Sequence, residues 1–184
     1  MKILLTERQI YSRVRELADE IQSSLPRQDV FVVGILTGCL MFLADLVRHL
    51  DTPMRIGFVV AQSYHGTATT AGNLEYNVKS LPDVAGKHVL LVDDIFDSGQ
   101  TLARIADEIA ACQPASVRSA VLLEKDVQRA TDFFPDLVGF RIPAEFVVGY
   151  GLDFDGRYRN LPYIAALDAG DEYSLPTAKG DVTP

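Results

Sequence analysis

The sequence predicts an α/β protein built on a doubly wound, mainly parallel sheet flanked by helices. Three observations carry this expectation. Two apolar, β-branched runs, VFVVGIL from Val30 and HVLLV from His88, have strand length and lack the polar alternation of a sheet with one wet face, as parallel strands covered on both sides require. Segments with helical periodicity alternate with such runs along the chain. Turns rich in acids, Ser, Gly and Thr lie where strands hand over to helices, which is where such sheets bind ligands.

Taken in order, Thr6 and Gln9 have capping-box spacing, and Ile10, Val14, Leu17, Ala18 and Ile21 recur at helical intervals up to Pro26, giving an amphipathic first helix. VFVVGIL is the first buried strand, TGC turns the chain, MFLADLVRHL reads as a helix ended by Asp51 and Pro53, and MRIGFVVAQ reads as the next strand. Residues 63–73, SYHGTATTAGN, form a polar loop of a length that is usually functional or mobile, and LEYNVKS after it alternates like a strand with one exposed face. HVLLV is a buried strand, DDIFDSGQ a loop, and TLARIADEIAAC a helix. SVRSAVLLEK is a further strand, and a polar segment then leads to two short β-rich pieces, VGFRI and FVVGYGLD. Residues 1–184 read as a single domain without internal repeats, with about 174–184 a flexible tail.

Composition bounds the function. The chain has 25 acidic against 17 basic residues, a formal net charge of -8, so broad attraction to nucleic acid or to an anionic membrane is not expected. The N-terminal apolar run is too short for a secretory signal, no run reaches the length of a membrane span, and the two cysteines have no metal-ligand spacing. The expectation is a cytoplasmic protein with reduced thiols and small-molecule ligands.

The chemistry concentrates in HVLLVDDIFDSGQTLARIADEI. An apolar strand delivers Asp93 and Asp94, then Asp97, and Ser98, Gly99, Gln100 and Thr101 open the following helix. Amides at a helix start bind phosphate, Gly99 lets the backbone approach it closely, and the Ser and Thr hydroxyls add donors. Three carboxylates beside a phosphate must face something else, and hydroxyl donors or a divalent cation are the candidates. A phosphorylated sugar satisfies both groups. Each acid alone reads as a helix cap or a solvated strand end; the combination favours a ligand. No GxxxxGK[ST] loop and no GxGxxG turn occurs.

VLLVDDIFDSGQTL closely resembles the phosphoribosyl diphosphate motif of type I phosphoribosyltransferases. LLEKD, FVVGYGLDF and RYRNLPYI resemble the downstream blocks of the hypoxanthine and guanine members, and GILTGCLMFLADL and QSYHG their upstream blocks, over roughly residues 4–167. The resemblance implies the type I phosphoribosyltransferase fold, with a small base-binding hood from the terminal segments. It also implies Mg²⁺-dependent transfer of a 5-phosphoribosyl group from phosphoribosyl diphosphate to N9 of a 6-oxopurine, hypoxanthine and/or guanine. On that likeness Asp93 and Asp94 hold the ribose hydroxyls and metal, Asp97 is the general acid or base at purine N7, and Ser98, Gly99, Gln100 and Thr101 cradle the 5′-phosphate. Lys125 meets purine O6, Phe146 stacks on the base, and the Val147 backbone meets its edge. Asp153 helps hold a second Mg²⁺ and lines the base edge. Thr37 and Gly38 form the diphosphate turn together with Arg159, and Ser63 and Tyr64 belong to the loop that closes over the site. Relatives often carry a basic residue at the position of Thr37 and a non-proline cis peptide there, and many have Glu at the position of Asp93. The resemblance further implies a homodimer or homotetramer.

Without it, Lys125 reads as a surface cation, Phe146 as core and Arg159 as a surface ion-pair partner of Asp155. Two other functions are weighed. An RNA-binding regulator on the same fold needs a basic face, against which the net charge speaks. A receiver-like signalling domain needs its acids on separate strand ends, whereas here all three lie in one loop followed by SGQT.

Overall fold

The computed structural model describes residues 1–62, 75–76 and 83–167, with the backbone alone for 61, 62, 75 and 76. Expectations for Ser63, Tyr64, their loop and the C-terminal tail lie outside the described residues. The chain runs β1 (Lys2–Leu5), α1 (Glu7–Ser24), β2 (Val30–Leu36), α2 (Leu40–Val47), β3 (Met54–Gln62), β4 (Glu75–Tyr76), β5 (His88–Phe96), α3 (Gln100–Ala111), β6 (Ser116–Lys125), β7 (Leu137–Ile142), β8 (Val147–Val148) and β9 (Ile164–Ala166).

The central sheet has the order β4-β3-β2-β5-β6-β7, with β3, β2, β5, β6 and β7 parallel and β4 antiparallel at one edge. Successive side chains of its inner strands point to opposite faces, and the core is accordingly double. Val30 and Val32 of β2 and Leu90 and Val92 of β5 pack with Ile10, Val14, Leu17 and Ile21 of α1 and Phe42, Leu43 and Leu46 of α2. On the other face Phe31, Val33 and Ile35 join Val89 and Leu91 against Leu102, Ile105 and Ile109 of α3. This is why VFVVGIL and the VLLV that follows His88 carry no polar side chain.

Thr6 caps α1 as expected: its hydroxyl accepts the Gln9 amide at 3.4 Å while its own amide donates to Gln9 Oε1 at 2.9 Å. Arg13 reaches from α1 to the edge strand β7, donating to the carbonyls of Gly139 and Val138, each at 2.9 Å, which occupies an edge that would otherwise be open.

A second sheet, β1-β9-β8, is antiparallel and joins the N-terminus to the last described strand. The periodicity gave no warning of β1 or β9, because strands of four and three residues carry too few side chains for a pattern. FVVGYGLD contributes only Val147–Val148 as strand, since Gly149, Tyr150 and Gly151 all take positive φ and fold the chain out of the sheet. Conversely, β5 continues through both acids to Phe96, where the sequence suggested a loop from Asp93.

Candidate active site

The chain leaves β2 for β3 on one side of the sheet and moves from β5 to β6 and β7 on the other, so the switch in strand order falls between β2 and β5. A cavity of about 240 Å³ opens there. Ile35, Leu36 and Gly38 line it from the end of β2, and Asp93, Asp94, Asp97, Ser98, Gly99 and Thr101 line it from the end of β5 and the start of α3.

Asp93 and Asp94 stand side by side at the back. The Asp94 amide donates to Asp93 Oδ1 at 3.0 Å, and the Ile95 amide donates to Asp94 Oδ1 at 2.9 Å. Burial, followed by the neighbouring Asp94 charge, pushes the Asp93 carboxyl well above the ordinary range. Burial also pushes Asp94 up, opposed by hydrogen bonds from its neighbours and by the positive charge of Arg159. Neither acid forms an ion pair with Lys or Arg among the described residues. Behind them the Cys39 thiol, fully buried, is likewise pushed up by burial and by the two acids, so it is a packed thiol and not a nucleophile.

Gly99 holds φ 83° at the start of α3, with no side chain capping the helix, so the first amides of α3 keep their capacity for an anion. A Cβ at Gly99 would come within 2.6 Å of Thr131 and 2.8 Å of the Phe96 ring, which leaves room for no other residue. Ser98 and Thr101 flank it on the cavity wall, whereas Gln100 is exposed.

Asp97 is half exposed, and its Oδ2 accepts from Lys125 Nζ at 3.1 Å. The parallel register of β5 and β6 sets Phe96 beside Glu124, which brings Asp97 and Lys125 to neighbouring strand ends. Arg129, to which the sequence reading assigned nothing, donates to the Asp97 carbonyl at 2.7 Å and to Glu124 Oε1 at 2.8 Å. It stands in an irregular polar segment, and no periodic or motif signal distinguishes it.

At the other wall the peptide between Leu36 and Thr37 is cis, as the resemblance implied, and Thr37 is exposed on the turn. Gly38 is pressed against Asp94. Gly151, at φ 102°, lies so close to the same turn that a Cβ would stand 2.0 Å from the Gly38 carbonyl oxygen. Arg159 donates to the Gly151 carbonyl at 2.5 Å and pairs with Asp153 at 2.7 Å, while the other Asp153 oxygen accepts the Gly156 amide at 2.8 Å. Asp153 is therefore the partner of Arg159, where the sequence offered Asp155, and among the described residues it forms no three-ligand cluster with Asp93 and Asp94. Phe146 is 51% exposed and meets Phe154 edge to face at 5.7 Å, so it is not core. Val147 is buried in β8, in register with Ala166 of β9.

The family comparison agrees with this geometry. Residues 1–155 match the phosphoribosyl transferase domain family. A protein of Streptococcus pneumoniae named hypoxanthine-guanine phosphoribosyltransferase is 39% identical over 166 residues, covering 90% of this chain and 92% of its own. A protein of the same name from Aquifex aeolicus is 43% identical over 170 residues, covering 91% and 95%. The crystal structure of a hypoxanthine-guanine phosphoribosyltransferase from Bacillus anthracis, with a HEPES molecule in its active site, superposes with a TM-score of 0.85 at 36% identity, over 91% of this chain and 99% of that one. With the strand order, the acidic strand end and the open helix start already in place, these matches make the chain a member of the phosphoribosyltransferase family, among the hypoxanthine-guanine phosphoribosyltransferases.

Proposed function

We propose that the protein transfers the 5-phosphoribosyl group of phosphoribosyl diphosphate to N9 of a 6-oxopurine, hypoxanthine and/or guanine, releasing diphosphate. The observation that carries this reading is the 3.1 Å pairing of Asp97 with Lys125 beside an acidic strand end and an uncapped helix start. A purine seated there meets a donor and an acceptor side by side. The Lys125 ammonium donates to O6, which favours a 6-oxopurine over a 6-aminopurine, whose exocyclic group is itself a donor. The Asp97 carboxylate, released from Lys125, takes the proton at N7 as the N9–C1′ bond forms and the C1′–diphosphate bond breaks. Its negative charge also steadies the cationic character of the sugar.

In this reading the amides and hydroxyls of Ser98, Gly99, Gln100 and Thr101 hold the 5′-phosphate, and Asp93 and Asp94 hold the ribose hydroxyls. Thr37, Gly38 and Arg159 receive the diphosphate; Arg159, drawn off Asp153, offers it a fork of donors. Phe146 presents a free aromatic face to the base and Val147 its backbone, and Asp153 completes that edge. Ser63 and Tyr64 belong to the segment that excludes water during transfer.

Two adjacent carboxylates, Asp93 buried and Asp94 half-buried, that form no ion pair among the described residues are a donor set a hard divalent cation accepts, and Mg²⁺ is commonly held by one or two carboxylates plus substrate oxygens. Asp93 and Asp94 would hold Mg²⁺ in this way, and Asp153 would hold a second ion once Arg159 has moved to the diphosphate. When bound, the ion neutralises the charge that develops on diphosphate as it leaves.

Homo-oligomerisation, as a dimer or tetramer, belongs to the same reading. Ile56, Phe58 and Val60 lie on one face of β3 and are 46%, 39% and 45% exposed, an apolar row that a second copy would cover. Light scattering at micromolar protein tests it, and a monomer would overturn it. A cytoplasmic setting is in keeping with the free thiols Cys39 and Cys112. No described helix is long and apolar enough to cross a membrane.

The deciding experiment incubates the protein with phosphoribosyl diphosphate, Mg²⁺ and each of hypoxanthine, guanine, xanthine and adenine, following nucleotide formation by absorbance. Turnover of hypoxanthine or guanine is expected. No turnover of any 6-oxopurine would overturn the proposal.

A further inference from the structure

We infer that Arg129 is a positioning residue that fixes the spacing between Asp97 and Lys125 by clamping the ends of β5 and β6 together. This rests on the roles proposed above for those two residues and adds a third that neither the motif nor the family blocks contain. Its guanidinium makes three contacts at once. One nitrogen donates to the Asp97 carbonyl at 2.7 Å, another donates to Glu124 Oε1 at 2.8 Å, and the guanidinium carbon lies over the Phe96 ring, 4.7 Å from its centroid.

Phe96 and Glu124 are register partners across β5 and β6, and each immediately precedes one member of the Asp97–Lys125 pair. Arg129 therefore holds one neighbour or backbone group of each functional side chain without occupying the cavity that Asp97 lines. The chain on either side of it reinforces the clamp. The Ala130 amide donates to the Ser98 carbonyl at 3.0 Å, and the Thr131 methyl packs over Gly99. The Arg129 and Glu124 side chains are 18% and 12% exposed, so this pair is shielded from solvent in a way surface ion pairs are not. Glu124 also accepts from Arg141 at 3.0 Å, but Arg141 is 84% exposed and touches neither Asp97 nor Phe96 in its described contacts.

Only a planar fork can satisfy a carbonyl and a carboxylate while lying over a ring, and a lysine keeps the charge without that geometry. Loss of the clamp frees the Asp97 loop from the Lys125 strand. Misplacing a proton acceptor by about 1 Å slows chemistry by roughly 100-fold while leaving a phosphate cradle built on helix amides in place.

The test compares Arg129→Gln and Arg129→Lys with wild type and with Arg141→Gln, by steady-state kinetics and by hydrogen exchange of the Ala103 and Ala130 amides, which donate to the Gly99 and Ser98 carbonyls. In Arg129→Gln, kcat is expected to fall about 10- to 100-fold with KM for phosphoribosyl diphosphate within about twofold, and the Ala103 and Ala130 amides to exchange about tenfold faster. Arg129→Lys is expected to recover only part of either loss, and Arg141→Gln to match wild type in both. If Arg129→Gln exchanges like wild type at Ala103 and Ala130, or speeds exchange equally in α1, the clamp is wrong whatever the activity. With an active wild type, a kcat within twofold in Arg129→Gln also overturns it. A wild type that turns over no 6-oxopurine counts against the proposed function instead, and the exchange data then decide the clamp by themselves.

Discussion

Asp94 and Gly38 are in direct contact: a Cβ built on Gly38 would lie 1.7 Å from Asp94 Oδ2, well inside any tolerable separation. The turn after β2 and the acidic end of β5 thus touch with no atom to spare, and the two halves of the proposed phosphoribosyl diphosphate site, already joined by the β2–β5 pairing, meet at this contact. The absent side chain is what lets the carboxylate occupy its place.

Gly38→Ala must therefore displace the Asp94 carboxylate or the turn. The expected result is a folded protein whose KM for phosphoribosyl diphosphate rises at least about tenfold, equivalent to roughly 1.4 kcal/mol of lost binding, with a smaller change in KM for the base. Steady-state kinetics with each substrate varied in turn check this. An unchanged KM for phosphoribosyl diphosphate would show that the contact does not matter for binding.

Asp97→Asn keeps the size of the side chain and an acceptor for Lys125 but removes the proton acceptor. The kcat is expected to drop about 100- to 10,000-fold, the range typical of losing general acid–base catalysis, while nucleotide binding measured by calorimetry stays within about threefold. Wild-type kcat in this variant would reduce Asp97 to a loop residue.

Lys125→Ala removes the donor to O6 and leaves the phosphate cradle untouched. KM for the purine should rise by more than KM for phosphoribosyl diphosphate, and discrimination against adenine, measured as a ratio of kcat/KM values, should shrink. The reverse order of KM effects would break the O6 assignment.

The buried acids also set a pH dependence. Because Asp93 titrates above its unfolded value, the metal-free native state holds a proton that the unfolded chain has already released, and stability falls as pH rises from the ordinary carboxylate range through the raised one. Metal-free protein should therefore melt at higher temperature near pH 5.5 than near pH 8. Asp93→Asn should remove much of that difference and raise the melting temperature at pH 8 by at least roughly 2 °C, the effect of about 1 kcal/mol in a domain of this size. Calorimetric scans across that range decide the matter; a slope of opposite sign in the wild type, or one unaltered by the substitution, would contradict it.

Removing Mg²⁺ supplies a complementary check. A polyanionic substrate beside Asp93 and Asp94 is tolerable only with a divalent ion between them. Titration calorimetry in the presence of chelator should show no binding of phosphoribosyl diphosphate, restored when MgCl₂ is added; tight binding in chelator would refute the requirement.

Sequence by itself determined the buried strands, the three helices and the acidic turn proposed to hold phosphate, because each rests on local chemistry. Side-chain period distinguishes helix from strand, Thr6 and Gln9 cap one helix, and Gly99 must stand where φ is positive. The cavity wall from Asp93 to Thr101 was legible for the same reason, being one continuous segment. Only the tertiary structure decided what lies across from it. Parallel register placed Lys125 against Asp97, the fold-back at Gly149–Gly151 set Gly151 on the Gly38 turn, and Arg129 reached between strand ends 32 residues from the carbonyl it binds. The short strands β1, β9 and β8 likewise form only by supplying one another's hydrogen bonds, β1 and β9 across almost the full length of the described chain. Contacts between distant residues leave no period in a single sequence, so the partners of this site became visible only once the sheet had brought them together.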